Sequence, residues 1–160
     1  MHDNCLICKR IAMIQDQTNP YFVAELTTGY VVLGDFQCFR GYTLFLCKHH
    51  VSELHHLDHQ TKLQYLEEMS AVAQAVYETF QPKKLNYSLL GNSEEHLHWH
   101  LFPRHADDPA LGKPVWIVDK AVRYADSARP TEAQLHTMKL QLMQKLDEYA
   151  SLFIIARYDG

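Results

Sequence analysis

Residues 96–105, His-Leu-His-Trp-His-Leu-Phe-Pro-Arg-His, decide how the rest of the chain is interpreted. Three histidines alternate with apolar residues, which is the pattern of a strand with one buried face. Because alternate side chains of a strand share a face, we expect His96, His98 and His100 to project together. The apolar residues between them then enter a core. At the rise of a strand, neighbouring imidazoles lie about 7 Å apart.

Such an array of imidazoles favours phosphoryl or nucleotidyl transfer. A neutral imidazole is a good nucleophile toward phosphorus near pH 7 and a good leaving group once protonated. The middle histidine, His98, is best placed for that role if an acceptor, commonly a backbone carbonyl, fixes the tautomer of its ring. Two other interpretations compete: a polar sheet face without chemistry, and a three-histidine zinc site. The zinc site is disfavoured because three alternating positions span about 13 Å, too far for one ion.

Further strand patterns surround the histidine strand. Tyr21–Leu26 and Gly29–Leu33 are rich in β-branched and aromatic residues and predict a hairpin. Tyr42–Cys47, Leu85–Leu90 and His96–Phe102 predict three more strands. Because these strands do not alternate regularly with helices, the fold class is predicted as α+β, an antiparallel β-sheet flanked by helices.

Two helices are predicted from caps and apolar spacing. The first begins after Asp58, a plausible N-cap, and ends before Pro82. The second begins at Thr131, where Thr131-x-x-Gln134 forms a capping box. The segment 103–130 has weak periodicity and several prolines, so it is predicted to be mostly loop.

The sequence pattern does not settle the secondary structure of the last residues. Residues 152–155 are apolar and fit either an extension of the second helix or a short strand. We expect a catalytic core over residues 1–105 and a C-terminal helical extension over residues 106–160, packed on the same domain.

Composition excludes several classes of protein. A chain of 160 residues fits one domain. Its formal net charge of −4 argues against a general binder of nucleic-acid polymers. No apolar run approaches the length of about 18 residues that a membrane helix needs, and the N-terminus lacks the pattern of a signal peptide. We therefore expect a cytoplasmic protein with reduced cysteines and no membrane partner.

A metal site is indicated near the N-terminus. Cys5 and Cys8 form a C-x₂-C pair, and His49 and His50 follow the predicted strand at Tyr42–Cys47. Two thiolates and two imidazoles satisfy tetrahedral zinc, and the second imidazole could also be the first histidine of the triplet. The competing interpretation is a pair of thiols without metal. The other two cysteines lack a partner at this spacing and are expected to be buried as small apolar residues. They are Cys38 and Cys47.

The chain from Cys5 to about Arg104 resembles the bacterial members of the histidine triad (HIT) superfamily. The resemblance is carried by four motifs in order: CLIC at 5–8, RGYTLFLCKHHV at 40–51, LNYSLLGN at 85–92, and the triad HLHWHLF. It implies an antiparallel sheet with helices, usually assembled as a homodimer. It also implies a nucleotide hydrolase or transferase.

The resemblance implies roles for the triad and the zinc ligands. His98 would attack the α-phosphorus of a nucleotide, and the nucleotidyl-histidine would then release a nucleoside monophosphate. His100 would contact the phosphate region or orient the site. A structural Zn²⁺ would be held by Cys5, Cys8, His50 and His96, with His50 preferred over His49 because it directly precedes Val51. The first histidine, His96, thereby belongs to both the triad and the metal site.

Family analogy favours dinucleoside polyphosphates or nucleoside phosphoramidates as substrates, with adenine as the base. Two alternatives stay open. One is a nucleotide-binding regulatory module without significant turnover. The other is a zinc-stabilised interaction module that uses the C-terminal helix as a dimer face, which leaves the triad unexplained.

The chain departs from the family at the phosphate-binding loop, which is short here, at residues 91–95. Glu94 and Glu95 would repel a polyphosphate unless they turn outward. Trp116 and Tyr124 could cover the site or pack at a dimer interface, although aromatic residues in such a segment more often serve plain packing. The candidate contacts to phosphate or ribose are Asn86, Asn92, Ser93, Arg104 and Asp35.

Overall fold

The computed structural model describes residues 4–160 and confirms the α+β class with an antiparallel sheet. Six strands form one sheet in the order β4-β5-β3-β2-β1-β6, and every neighbouring pair is antiparallel. The strands are β1 (Phe22–Leu26), β2 (Gly29–Leu33), β3 (Thr43–Cys47), β4 (Lys84–Ser88), β5 (His98–Arg104) and β6 (Ile154–Arg157). The helices are α1 (Leu6–Gln15), α2 (His59–Phe80), α3 (Lys120–Arg123) and α4 (Glu132–Tyr149).

The larger core lies between one face of the sheet and the helices α2 and α4. Val31, Phe45 and Leu101 reach it from the strands, and all three are fully buried. Leu101 enters this core as the alternation of the triad strand predicts. Burial of apolar side chains on this scale is the main stabilising contribution to the domain.

The predicted caps of the two long helices are confirmed. Asp58 accepts a hydrogen bond from the backbone N–H of Thr61 at 3.0 Å. The helix α2 ends at Gln81 in the left-handed conformation, one residue before Pro82. At the start of α4, Thr131 and Gln134 exchange both bonds of the capping box. These local signals are reliable because each depends on neighbours in the sequence.

Helix α1 is absent from the sequence prediction. Its apolar residues Ile7, Ile11 and Ile14 follow helical spacing and pack against the second face of the sheet. Cys5 is the N-cap, and its sulfur accepts a hydrogen bond from the backbone N–H of Cys8 at 3.3 Å. The C-x₂-C pair therefore marks the first turn of a helix, a signal that the metal interpretation obscured.

The C-terminal extension adds a strand as well as a helix. Ser151–Phe153 forms one turn of 3₁₀-helix, and β6 then pairs with β1 at the edge of the sheet. The undecided residues 152–155 are thus divided between these two elements. The predicted domain boundary at residue 105 stays a prediction. Between residues 4 and 160, no helix is both long and apolar enough to cross a membrane.

The segment 103–130 is mostly loop, as predicted, but it contains short helical turns. Val115–Ile117 and Asp126–Ala128 form 3₁₀ turns on either side of α3. Val115 and Val118 pack with Phe39 and Phe102 in a third cluster, on the sheet face opposite α2. The segment 103–130 therefore covers part of the sheet instead of extending into solvent.

Candidate functional site

Two of the triad histidines meet on the open face of β5. His98 and His100 share one face of the strand, as predicted, and their Nε2 atoms lie 3.0 Å apart. Nδ1 of His98 lies 2.6 Å from the backbone oxygen of His96, and Nδ1 of His100 lies 2.6 Å from the hydroxyl of Tyr42. These contacts form a continuous chain from Tyr42 through His100 to His98.

The chain fixes the tautomer of each ring. A backbone carbonyl can only accept, so His98 carries a proton on Nδ1, and in the neutral ring Nε2 holds the lone pair. His100 must then donate from its own Nε2, and its Nδ1 accepts the proton of the Tyr42 hydroxyl. The carbonyl acceptor that the sequence analysis required for His98 is therefore the backbone oxygen of His96.

The pKa shifts of His100 and Tyr42 show that both side chains are neutral near pH 7. Removal from water is the main cause that lowers the pKa of His100 to about 3, and repulsion from a protonated His98 would lower it in the same direction. Burial also raises the pKa of Tyr42 far above that of a free phenol. Near neutral pH, His100 is thus an uncharged donor, and Tyr42 keeps its proton.

The position of His96 corrects the sequence prediction. β5 begins at His98, so His96 lies before the strand and does not project beside the other two rings. Its Nε2 donates to the backbone oxygen of Cys47 at 2.7 Å, and its Nδ1 faces the two cysteines of the N-terminal pair. Its side chain belongs to the possible metal site, while its backbone carbonyl accepts the hydrogen bond from His98.

Cys5, Cys8, His50 and His96 form a possible metal site. Their ligand atoms all lie within 4.8 Å of one another. Sγ of Cys8 is 3.1 Å from Nδ1 of His50 and 3.4 Å from Nδ1 of His96, and Sγ of Cys5 is 3.6 Å from the latter atom. In a tetrahedral zinc site, neighbouring ligand atoms lie about 3.4–3.8 Å apart.

The surroundings of this cluster suit a bound cation. The hydrogen bond from His96 to Cys47 directs the other ring nitrogen toward the thiolates, as acceptors behind metal-binding histidines do. Glu94 does not face the histidine chain but accepts the backbone N–H of Leu6, at the start of α1. The donor set, its spacing and this support fit zinc. The cluster also joins the start of α1 to the residues that flank β3 and β5.

A cavity of about 310 Å³ opens beside His100, on the face of the sheet that carries α1. Its volume is at the lower end of the range for small-molecule sites. Its walls are mainly apolar and aromatic, and Phe36, Tyr42 and Trp116 contribute rings. Asp35 lines this cavity as well, where its carboxylate forms an ion pair with Arg10. The ribose contact proposed for Asp35 stays a prediction.

Arg104 has an anchoring role in place of the predicted phosphate contact. It is buried, with 2 % of its surface exposed, and its guanidinium donates to protein acceptors. One is the side-chain oxygen of Asn86 at 2.9 Å, so that residue is also engaged. The others are the carboxylate of Asp108 and the backbone oxygens of Ala110 and Lys113. These bonds fasten the loop after β5 to the sheet, and they leave Arg104 unavailable to a ligand.

Asn92 and Ser93 lie on the metal side of the molecule. Together with Cys5, His50 and His96 they line a separate cavity of about 450 Å³. Their predicted phosphate contacts stay untested.

The two cysteines outside the C-x₂-C pair differ in burial. Cys47 is buried as predicted, whereas Cys38 is half-buried and lines the cavity beside His100.

Segment 115–124 supplies three side chains to the cavity beside His100, and the sequence analysis identified two of them. Trp116 meets His100 edge-on with ring centroids 5.4 Å apart, so its ring lies beside this histidine. Tyr124 lines the same cavity and packs edge-on against Phe36 at 5.3 Å. Arg123 also lines the cavity and was missed. Only its place between Trp116 and Tyr124 in an aromatic-rich segment could have drawn attention to it.

Comparisons with known proteins agree with this geometry. The family model described as HIT domain matches residues 17–107. Protein hit of Bacillus subtilis (strain 168) is 28 % identical over 138 residues, covering 82 % of this chain and 88 % of that protein.

Solved structures show the same fold. A histidine triad protein from Sinorhizobium meliloti superposes with a TM-score of 0.69 at 20 % identity, covering 82 % of this chain and 94 % of that one. A Zn-bound histidine triad family protein from Mycobacterium smegmatis gives a TM-score of 0.61 at 18 % identity, covering 93 % and 97 % of the two chains. Because the family model covers more than half of the sequence, the chain belongs to the HIT domain family.

Proposed function

We propose that the chain is a nucleotide hydrolase or transferase in which His98 is the nucleophile. Membership of the HIT domain family supports a function of this kind, with a nucleotide as the partner. The observation that carries the proposal is the hydrogen bond from Nδ1 of His98 to the backbone oxygen of His96. In the neutral ring this bond places the proton on Nδ1 and the lone pair on Nε2, on the face of the sheet where the cavity opens.

The reaction would proceed in two displacements. Nε2 of His98 forms a bond to the α-phosphorus, and the bond from phosphorus to the leaving oxygen or nitrogen breaks with its electron pair. Water then attacks phosphorus and loses a proton, the P–N bond breaks with its electron pair returning to Nε2, and a nucleoside monophosphate departs. With another acceptor in place of water, the nucleotidyl group is transferred to that acceptor instead. The neutral imidazole is thereby restored.

His100 would support this reaction as a neutral donor. In the structure its Nε2–H points at the lone pair of His98. A phosphate oxygen that enters between the two rings can take over that hydrogen bond, which leaves the lone pair of His98 for phosphorus. Preorganised donors of this kind stabilise the charge that develops on phosphate oxygens in the transition state.

The cavity beside His100 would hold the nucleoside. Its aromatic walls suit a base, and the carboxylate of Asp35 suits the ribose hydroxyls. Dinucleoside polyphosphates and nucleoside phosphoramidates are the proposed substrates. The adenine preference, the homodimer and the cytoplasmic location implied by the resemblance stay predictions.

The metal would be a structural Zn²⁺ held by Cys5, Cys8, His50 and His96. When bound, it supplies a fixed cross-link between the start of α1 and the residues flanking β3 and β5. The chemistry of the four ligands supports this choice, as does the Zn-bound relative of known structure. The chemical step itself is left to the histidine chain.

Product analysis tests the proposal. Wild type, His98→Ala and the remote surface variant His55→Ala would each be incubated with a diadenosine polyphosphate and with an adenosine phosphoramidate. We expect AMP from wild type and His55→Ala and none from a folded His98→Ala. Equal AMP release by all three proteins would remove His98 from the mechanism. Tight nucleotide binding without any product would favour the regulatory alternative.

A further inference from the structure

The phosphate-binding side of the site lacks a cation in the proposal above, because Arg104 is engaged elsewhere. Two other arginines line the cavity beside His100, Arg10 and Arg123. Arg10 is neutralised by its ion pair with Asp35. Arg123 forms no ion pair with any residue between 4 and 160. The cavity therefore carries one uncompensated positive charge.

The guanidinium of Arg123 is held in place by its neighbours. Nε donates to the backbone oxygen of Val118 at 2.9 Å. The guanidinium carbon lies 5.2 Å from the ring centroid of Trp116 and 5.1 Å from that of Tyr124. These two cation–π contacts and the backbone hydrogen bond hold the guanidinium in place. Nη1 makes one long bond of 3.4 Å to the hydroxyl of Tyr124, and Nη2 has no acceptor among the described residues.

Arg123 and His100 line the same cavity. Trp116, on which Arg123 stacks, also contacts the ring of His100. The positive charge of Arg123 also acts on Tyr42, which contacts His100 from the other side. Burial raises the pKa of Tyr42, and the charge of Arg123 opposes that rise. A half-buried charge in a mainly apolar cavity costs free energy unless an opposite charge joins it.

We propose that Arg123 binds a phosphate oxygen of the nucleotide, so that segment 115–124 completes the phosphate site. This inference rests on the proposed function, since it requires a nucleotide in the cavity. Guanidinium groups bind phosphate through strong, charge-assisted hydrogen bonds, and Arg123 retains donors for them. Through the ring of Trp116, the same segment joins this cation to the histidine chain.

The test compares nucleoside monophosphates with the matching nucleosides. Arg123→Met keeps the packing on the two rings but removes the charge and the donors. The matched control is Arg129→Met, because Arg129 also stacks on an aromatic ring, at 4.1 Å from Phe36, but does not line the cavity. Binding of the four common ribonucleoside 5′-monophosphates and their nucleosides would be measured by calorimetry, with thermal unfolding as the check of the fold.

We expect Arg123→Met to weaken monophosphate binding by about tenfold to a hundredfold and nucleoside binding by less than about twofold. Arg123→Lys should recover part of the loss, and Arg129→Met should bind like wild type. Equal losses for monophosphate and nucleoside, or no loss, would overturn the role of Arg123 while leaving the proposed function intact. If wild type binds no nucleotide, the proposed function fails and this inference fails with it.

Discussion

The substitution Tyr42→Phe removes the hydroxyl that fixes the tautomer of His100, the neighbour of His98. The hydroxyl lies 2.6 Å from Nδ1 of His100. Phenylalanine should fit without repacking, because the ring of Tyr42 already stacks on Phe102 at 4.2 Å. Without the hydroxyl, Nδ1 of His100 loses its donor, and the tautomer with its proton on Nδ1 becomes competitive. That tautomer places two lone pairs against each other between His98 and His100.

The size of this effect follows from the lost hydrogen bond. Leaving a buried acceptor without a partner costs about 1–3 kcal/mol. At about 1.4 kcal/mol per factor of ten, kcat should fall by roughly fivefold to somewhat over a hundredfold. KM should change little, since the walls of the cavity are retained.

The assay is steady-state release of nucleoside monophosphate, with the ring tautomers read from ¹⁵N chemical shifts of the histidines. The matched control is Tyr87→Phe, which removes an exposed hydroxyl on β4. A Tyr42→Phe protein with wild-type kcat and an unchanged tautomer at His100 would refute the reasoning.

Three further predictions concern the metal, the pH dependence and an unpaired donor. Cys8→Ser should lower the metal content from about one Zn²⁺ per chain, measured by mass spectrometry of the native protein, and should lower Tm; full metal content in this variant would contradict the four-ligand site. Because the pKa of His100 is lowered in the folded protein, the unfolded chain binds a proton at this residue at a higher pH than the folded chain does. His100, which faces His98, Tyr42 and Trp116, should therefore contribute stability above about pH 6.5 that is lost progressively as the pH falls toward 3. His100→Asn should show a shallower fall of Tm between pH 6.5 and 4 than wild type, and an equal slope would exclude this contribution. Trp99 buries its Nε1 donor without a partner among the described residues, so Trp99→Phe should leave the free energy of unfolding within about 1 kcal/mol of wild type. That variant keeps Trp116 alone, since the chain has two tryptophans, and its fluorescence should respond to nucleotide binding.

Features that depend on neighbouring residues were predictable from the sequence. The Asp58 cap and the Thr131 capping box are formed within one helical turn, and the structure has both. The hairpin strand Gly29–Leu33 also has its predicted bounds. The four metal ligands were accessible because the resemblance to the family supplied the distant partners of the C-x₂-C pair.

Features that depend on tertiary contacts were not predictable. The alternation of the triad placed His96 beside His98, but the strand begins two residues later and the imidazole turns to the metal site. Arg104 follows the triad and was a plausible phosphate ligand, but its acceptors come from a loop whose path no periodicity shows. Arg123 lies 25 positions after His98, and only the folded segment brings it to the cavity.

Trapping of the covalent intermediate tests the central claim most directly. Wild type and His98→Ala would be mixed with a diadenosine polyphosphate, quenched in alkali to preserve a P–N bond, digested and analysed by mass spectrometry. The account predicts one nucleotidyl group on His98 of wild type and none on the variant. Rapid AMP release by wild type with no adduct at any time point, or an adduct on another residue, would contradict it.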